Sequence, residues 1–83
     1  MDRPTDDALQ RILKKPRLRR DEVSRYLDVI HGITLAPSTL ASMATRGGGP
    51  PFNLMNRTPL YPRDALDCWA LEKLGPLRYS TSD

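Results

Sequence analysis

The sequence predicts one small, mainly α-helical domain that carries a β-hairpin. Apolar residues recur at helical spacing in four segments, and each segment is followed by Pro or Gly. Between the third and fourth segments, a Gly/Pro-rich break precedes a short alternating stretch with turn residues, which is typical of a hairpin. With 83 residues, of which 39% are apolar, the chain has material for a single thin core.

The first two segments predict short helices separated by a proline. Residues 6–15 form the first, with Thr5 as its N-cap and Pro16 after its end. Because ten residues are too few for a stable isolated helix, we expect it to dock on the domain, to dock on a partner, or to stay partly disordered. The second helix is predicted over Arg20–Val29, with Arg19 in the N-cap position, where Arg is an unfavourable residue.

The third segment predicts a helix over Pro37–Arg46, since Pro suits a first helical turn and Gly47 follows the last one. Leu40, Met43 and Ala44 form its apolar face at positions i, i+3 and i+4. Its polar face consists of Ser38, Thr39, Ser42, Thr45 and Arg46. A helix that packs on one side and presents hydroxyls, a guanidinium and no carboxylate on the other is suited to lie against a polyanion.

The hairpin is predicted from residues 52–55 and Leu60-Tyr61, joined by the turn residues 56–59 with Arg57 at the tip. A lone two-stranded hairpin is marginally stable, so we expect it to pack on the helices.

A last helix is predicted over Pro62–Leu74, and its Trp69 is expected to close the core. The chain then divides into an amphipathic N-terminal arm (1–16), a central domain (17–75) and a C-terminal tail (76–83). Three alternatives stay open for the tail: Leu77 and Tyr79 dock on the domain, they contact other protein molecules as the arm could, or the tail is disordered.

Positive charge is concentrated in two segments. The net charge is +3; residues 1–20 contain seven Lys/Arg and three Asp, which gives +4, and the remainder sums to −1. No acid lies between Asp28 and Asp64, whereas Arg46, Arg57 and Arg63 all lie there. The two basic segments are therefore Arg11–Arg20 and Arg46–Arg63. Composition alone leaves two interpretations open: a surface for nucleic acid, or a solvated surface that only keeps the protein dispersed.

Several classes of site are not expected. One cysteine, Cys68, excludes an internal disulfide, and with a single histidine, His31, we expect no metal and no cofactor. His31 is expected at the surface or in a last helical turn; no nucleophile or paired carboxylate accompanies it, so we expect no enzyme and no small-molecule substrate. Glycines 47–49 precede two prolines and do not open a helix, unlike a phosphate-binding loop. No long apolar run or signal peptide is present, so no membrane partner and a cytoplasmic location are expected.

An ordered set of motifs covers residues 18–70. It comprises Leu18-Arg-Arg-Asp-Glu-Val-Ser-Arg-Tyr-Leu27, Pro37-Ser-Thr-Leu40, Gly49-Pro-Pro-Phe52, Asn56-Arg57 with Leu60-Tyr61, and Asp64-Ala-Leu66 with Trp69. In this order the motifs resemble the excisionase-like winged helix-turn-helix proteins of the mercury-resistance-regulator (MerR-like) superfamily. The chain departs from the family pattern in a longer turn between the second and third helices, and in Arg19 and Ala36 at N-cap positions where Ser or Thr is usual. Asn56 also stands where the wing commonly has Gly, and the recognition helix carries few basic residues.

The resemblance implies that the partner is double-stranded DNA. The third helix would enter the major groove, the hairpin would act as a wing that reaches the minor groove or its phosphates, and the start of the second helix would clamp the backbone. The implied contacts are Ser38, Thr39, Ser42, Thr45 and Arg46 on the recognition helix; Asn56, Arg57 and Thr58 in the wing; and Lys15, Arg17, Arg19 and Arg20 in the clamp.

The resemblance further implies an excisionase, or recombination directionality factor. Such a protein binds attachment-site DNA cooperatively, bends it, and promotes excision of a prophage or integrative element by a tyrosine-type integrase. Self-association on DNA and contact with the integrase are therefore expected, in a bacterial, nucleoid-associated setting. Two alternatives stay open: a small winged-helix transcriptional regulator, and a protein-binding antiactivator on a helix-turn-helix scaffold.

Overall fold

A computed structural model describes residues 4–81, with side chains from residue 7 onward. The chain is mainly helical with a small three-stranded antiparallel sheet, as the sequence predicted for the class of fold. The elements in chain order are α1 (Pro4–Leu13), β1 (Arg17–Leu18), α2 (Arg20–Tyr26), a π-helical segment (Leu27–His31), α3 (Pro37–Arg46), β2 (Asn53–Met55), β3 (Thr58–Pro62) and α4 (Arg63–Leu74).

One core joins all four helices to the sheet. Its buried side chains are Ile12, Leu18, Val23, Tyr26, Leu27, Leu40, Tyr61, Leu66 and Ala70. The prediction that Trp69 closes this core was wrong in one respect, because Trp69 is only partly buried and packs against the outside of the core. Its indole Nε1 donates a hydrogen bond to the Gly48 carbonyl over 3.2 Å, and this polar contact holds the ring at the rim.

The first helix begins at Pro4, so Thr5 lies inside it and is not the N-cap that the sequence suggested. The helix ends at Leu13, and the next turn is closed by the Lys15 amide, which donates to the Ile12 carbonyl over 3.1 Å. Ile12 is buried in the core, which places α1 against the body of the domain.

A side chain of the second helix itself accepts a hydrogen bond at the N-terminus of that helix. The Arg19 amide donates to Glu22 Oε1 over 2.9 Å, which is one half of a capping box; the Arg19 side chain has no acceptor to supply the other half. The helix then widens into the π-helical segment and ends at Gly32, whose φ of 69° is the left-handed value that glycine adopts without strain. It therefore runs beyond the predicted end at Val29.

The hairpin has a tighter turn than predicted. Asn53 pairs with Leu60 and Met55 pairs with Thr58, so only Asn56 and Arg57 form the turn. Thr58, which was expected in the turn together with Pro59, belongs to β3 instead. Two central residues with positive φ are the mark of a type I′ turn, whose twist matches that of the strands it joins.

The strand β1 was not predicted from the sequence. Arg17 pairs with Pro62 and Leu18 with Tyr61, which places β1 on the opposite edge of β3 from β2. Leu18 and Tyr61 are both buried, so this pairing fixes the sheet to the core. The hairpin is thereby held by a third strand as well as by the helices.

Candidate nucleic-acid interface

The polar face of α3 is open to solvent along its length. The exposed residues are the five that the sequence singled out: Ser38, Thr39, Ser42, Thr45 and Arg46. Leu40, on the opposite face, is fully buried, and α3 packs against α2. The Thr45 hydroxyl bonds back to the Ala41 carbonyl over 3.3 Å. Among the hydroxyls of this face, that of Thr45 therefore already has a contact within its own helix.

The start of α3 has no side-chain cap. Ala36 occupies the N-cap position and has no side-chain acceptor, and Pro37 follows it. The amides of Thr39 and Leu40 both donate to the Ala36 carbonyl, at 3.0 and 3.1 Å. The first turn carries no acid, so the positive end of the helix dipole is not offset by a local carboxylate.

The segment after α3 folds back on the helix. A Cβ added at Gly49 would lie 2.7 Å from Met43 Cβ, closer than two such atoms approach, so glycine is required there for packing. Pro50 is buried, and the Gly48 carbonyl accepts the indole hydrogen bond from Trp69 of α4. These contacts connect the end of α3 to α4 and set where the hairpin begins.

The tip of the hairpin presents a guanidinium on a strained backbone. Asn56 has a φ of 49° and Arg57 a φ of 70°, and both residues are exposed together with Thr58. Asn is among the residues that tolerate the left-handed region, whereas Arg rarely adopts it. The Arg57 side chain is therefore held at the outermost point of the hairpin in a conformation that costs free energy.

The four basic residues near the start of α2 differ in their surroundings. Arg17 and Arg19 are exposed. Arg20 is partly buried, and its Nε donates to the Tyr61 hydroxyl over 2.9 Å, which orients the guanidinium against β3. Lys15 forms an ion pair with Glu22, with Nζ and Oε2 separated by 2.5 Å.

This ion pair changes the electrostatics of the clamp. Burial raises the pKa of the Glu22 carboxyl, but the hydrogen bond from the Arg19 amide and the pairing with Lys15 outweigh burial and hold that pKa below its usual value. Glu22 is thus ionised at neutral pH and offsets the charge of Lys15. Arg17 and Arg19 are the clamp residues whose charge is most available to a ligand.

Sequence reasoning missed a polar cluster that joins α2, the π-helical segment and α4. The Tyr26 hydroxyl donates to Asp67 Oδ1 over 2.8 Å, and His31 Nε2 lies 2.8 Å from the same oxygen. The His31 side chain is only 12% exposed, so His31 lies in a last helical turn, as one of the two expectations had it, but not at the surface. No local pattern indicates contacts between residues so far apart in the chain.

A second missed contact fixes α1. The Arg63 guanidinium donates to the Leu13 carbonyl, and the Arg63 amide donates to the Pro16 carbonyl over 2.9 Å. Arg63 lies in the acid-free part of the sequence but serves to join the end of α1 to the start of α4.

The role of Glu22 could have been predicted from the sequence, because an acid three residues after an N-cap is the spacing of a capping box.

Within residues 4–81, no cluster of three or more His, Cys, Asp or Glu side chains is arranged to hold a metal ion. None of the helices in the same range has the length and apolar character needed to cross a membrane. Comparison with protein-family models and with curated protein sequences finds no match to this chain.

Proposed function

We propose that the chain is a DNA-binding accessory protein with a winged helix-turn-helix. In this proposal α2 and α3 are the two helices, α3 is the recognition helix, and the β2–β3 hairpin is the wing. The packing of α2 on α3 through buried Leu40 supports it, since a recognition helix needs a second helix behind it.

One observation carries the proposal. A continuous acid-free part of the chain, residues 29–63, contains both the exposed hydroxyl and guanidinium face of α3 and the hairpin with Arg57 at its tip. Phosphate contacts come from hydroxyls, guanidiniums and helix N-termini, and each of these occurs in this segment, which itself contains no Asp or Glu. Arg17 and Arg19 add two exposed cations at the other end of the sheet and at the start of α2.

Ser and Thr make less discriminating base contacts than Arg or Asn. A monomer of this kind therefore gains selectivity from neighbouring copies and from DNA deformation. The specific role that we propose on this basis is that of an excisionase, which lines up on attachment-site DNA, bends it, and assists a tyrosine-type integrase. The proposed contacts are the recognition-helix, wing and clamp residues given above. Among them, Lys15 contributes less attraction to phosphates, because Glu22 offsets its charge.

A salt titration tests the DNA-binding step. Fluorescence anisotropy with attachment-site DNA of the encoding element measures how the logarithm of the binding constant falls with the logarithm of the salt concentration. Each neutralised phosphate contributes roughly 0.9 to this slope, so four or five phosphate contacts should give about −4. Arg57→Ala should lower the magnitude of that slope by about 1. Arg78→Ala is the matched control, since Arg78 is an exposed arginine of the tail outside the proposed interface. Absence of binding at low salt would refute the proposal and favour the antiactivator alternative.

A genetic assay separates the excisionase from the transcriptional regulator. Deletion of the gene should leave the element integrated, with no empty attachment site detectable by PCR, and expression in trans should restore excision. A deletion that alters promoter activity while excision proceeds at its normal frequency assigns the protein to the regulator class instead.

A further inference from the structure

Two large apolar side chains lie directly behind the hairpin tip. Leu54 is 67% exposed and Met55 is 63% exposed, and all three residues of β2 are exposed. Met55 pairs with Thr58 beside the turn, and Leu54 pairs with Pro59 one step further back. Because successive strand residues point to opposite faces, Leu54 and Met55 give the end of the hairpin an apolar surface on both faces. We refer to these two side chains as the apolar collar.

The collar borders a shallow concavity with a cation at its far end. The concavity is lined by Arg17, Asn53, Leu54, Met55 and Leu60. Arg17 pairs with Pro62, and β3 advances about 3.3 Å per residue, so Arg17 lies roughly 13 Å along the strand from Thr58 at the tip. The sheet thus has a guanidinium near each end of β3, Arg57 of the turn and Arg17 of the neighbouring strand β1, with an apolar region between them.

This alternation matches the chemistry of a nucleic-acid strand. Phosphates are anionic, whereas deoxyribose and the faces of the bases are apolar. No carboxylate occurs on the hairpin that would oppose such a ligand, and the Asn53 and Asn56 amides add neutral hydrogen-bonding groups. An apolar surface flanked by arginines and free of acids is therefore complementary in charge to DNA.

We infer that the apolar collar is a wedge that deforms DNA: it contacts deoxyribose and enters a base step opened in the minor groove, with Arg57 anchoring the adjacent phosphates. The inference depends on the proposed DNA-binding function and extends it by assigning the deformation to Leu54 and Met55. Apolar side chains that enter base steps partly unstack them and kink the duplex. The unbranched, flexible side chain of Met55, next to the turn, is the one best able to reach a base step.

A wedge binds best where unstacking has already occurred. The free energy of opening a step lowers affinity for a straight duplex and is absent for one that is already disrupted. The chain should therefore bind a duplex with a central tandem mismatch more tightly than a fully paired duplex of the same length. Surface cations alone confer no such preference, because they contact phosphates present in both duplexes.

The test measures the ratio of the two dissociation constants at low salt. For the full chain, we expect the mismatched duplex to bind at least about tenfold more tightly, because the free energy of opening a base step, a few kcal/mol for a paired duplex, is not required there. Leu54→Thr with Met55→Thr should bring the ratio close to one, while Thr preserves strand propensity. Leu77→Ala is the control for loss of an exposed apolar side chain, and Arg57→Ala should weaken both complexes by similar factors.

The outcomes separate the wedge from the proposed function. If the full chain binds neither duplex, the DNA-binding proposal fails and the wedge fails with it. If it binds both duplexes equally, DNA binding stands and the wedge is refuted. If the double variant keeps the preference but loses self-association in sedimentation velocity, the collar is a contact between protein copies, and the wedge is likewise refuted.

Discussion

The Tyr26 hydroxyl donates a hydrogen bond to the Asp67 carboxylate over 2.8 Å and so joins α2 to α4, which are 41 residues apart at this contact. Tyr26 is buried, and the same carboxylate oxygen lies 2.8 Å from His31 Nε2. The three side chains hold α4 against the end of the second helix.

Tyr26→Phe should destabilise the protein by about 1–2 kcal/mol, because it removes the hydrogen bond that the buried Tyr26 side chain donates to the charged, partly exposed Asp67 carboxylate. Burial, together with the Asp67 hydrogen bond, raises the pKa of Tyr26 to about 12 from 10.0. A raised pKa means that the folded state favours the protonated phenol, so this contribution is complete below pH 10.0 and is lost as the pH rises through about 12. Urea unfolding between these pH values should show the decline in the parent protein and not in Tyr26→Phe. An equal decline in both proteins would contradict the assignment.

Arg57→Gly should make the protein more stable and its DNA complex weaker. Glycine accepts the left-handed backbone at the hairpin tip without strain, so we expect a gain of about 1 kcal/mol in the free energy of unfolding. The loss of the guanidinium should reduce the salt slope of binding by about 1. Arg57→Ala separates the two effects, since it removes the charge but keeps the strain. If Arg57→Gly has a higher free energy of unfolding and a lower affinity for DNA, the backbone strain serves to position the guanidinium. A lower free energy of unfolding in Arg57→Gly would contradict this.

The elements that were predicted most accurately carry their own boundary signals. α3 was predicted to the residue, because Pro37 and Gly47 mark its ends and Leu40 sets its buried face. The helical spacing of apolar residues also predicted that the chain is mainly helical and that the polar face of α3 is exposed. Whether those side chains bind DNA stays a prediction, as does the resemblance from which the contacts were inferred.

The elements that were missed depend on partners distant in the chain. β1 has only two residues, too few to show alternation, and exists because Arg17 and Leu18 pair with β3. The π-helical segment places His31 against Asp67, and no periodicity within the helix indicates that contact. Pairing and packing across the fold override local propensity in both cases.

Gly49→Ala should destabilise the protein by about 1–3 kcal/mol, the usual range for overpacking. Its Cβ would lie 2.7 Å from Met43 Cβ, and neither atom can move without shifting the backbone. Thermal unfolding followed by circular dichroism measures the effect. Ser42→Ala, one residue before Met43 and exposed, is the control and should change stability by less than about 0.5 kcal/mol. A value for Gly49→Ala as small as that of the control would mean that the loop does not pack on α3.

Glu22→Gln should weaken the fold and strengthen DNA binding. It removes a charged N-terminal acceptor and the partner of Lys15, at a cost of about 1 kcal/mol at neutral pH. Since the pKa of Glu22 is lowered in the folded state, this contribution is present above 4.5 and disappears as the pH falls through the folded pKa, where parent and variant should converge.

The same substitution frees the Lys15 ammonium, so the salt slope of DNA binding should steepen by about 1. Asp21→Asn is the matched control: it removes an acid from the same helical turn, and that acid is exposed. A steeper slope in Glu22→Gln alone supports Lys15 as a clamp residue. Equal slopes in the two variants would assign the effect to net charge and remove Lys15 from the interface.

Ser42→Glu should abolish most of the DNA affinity without disturbing the fold. Ser42 is exposed in the middle of the acid-free face of α3, so a carboxylate there would be directed at the phosphates or base edges of a bound duplex. We expect at least about a tenfold loss in anisotropy titrations, on the scale of a like-charge contact across an interface. Gln10→Glu makes the same change of charge on an exposed residue of α1 and should cost far less. If the two variants lose affinity equally, only net charge matters, and α3 does not dock in a groove.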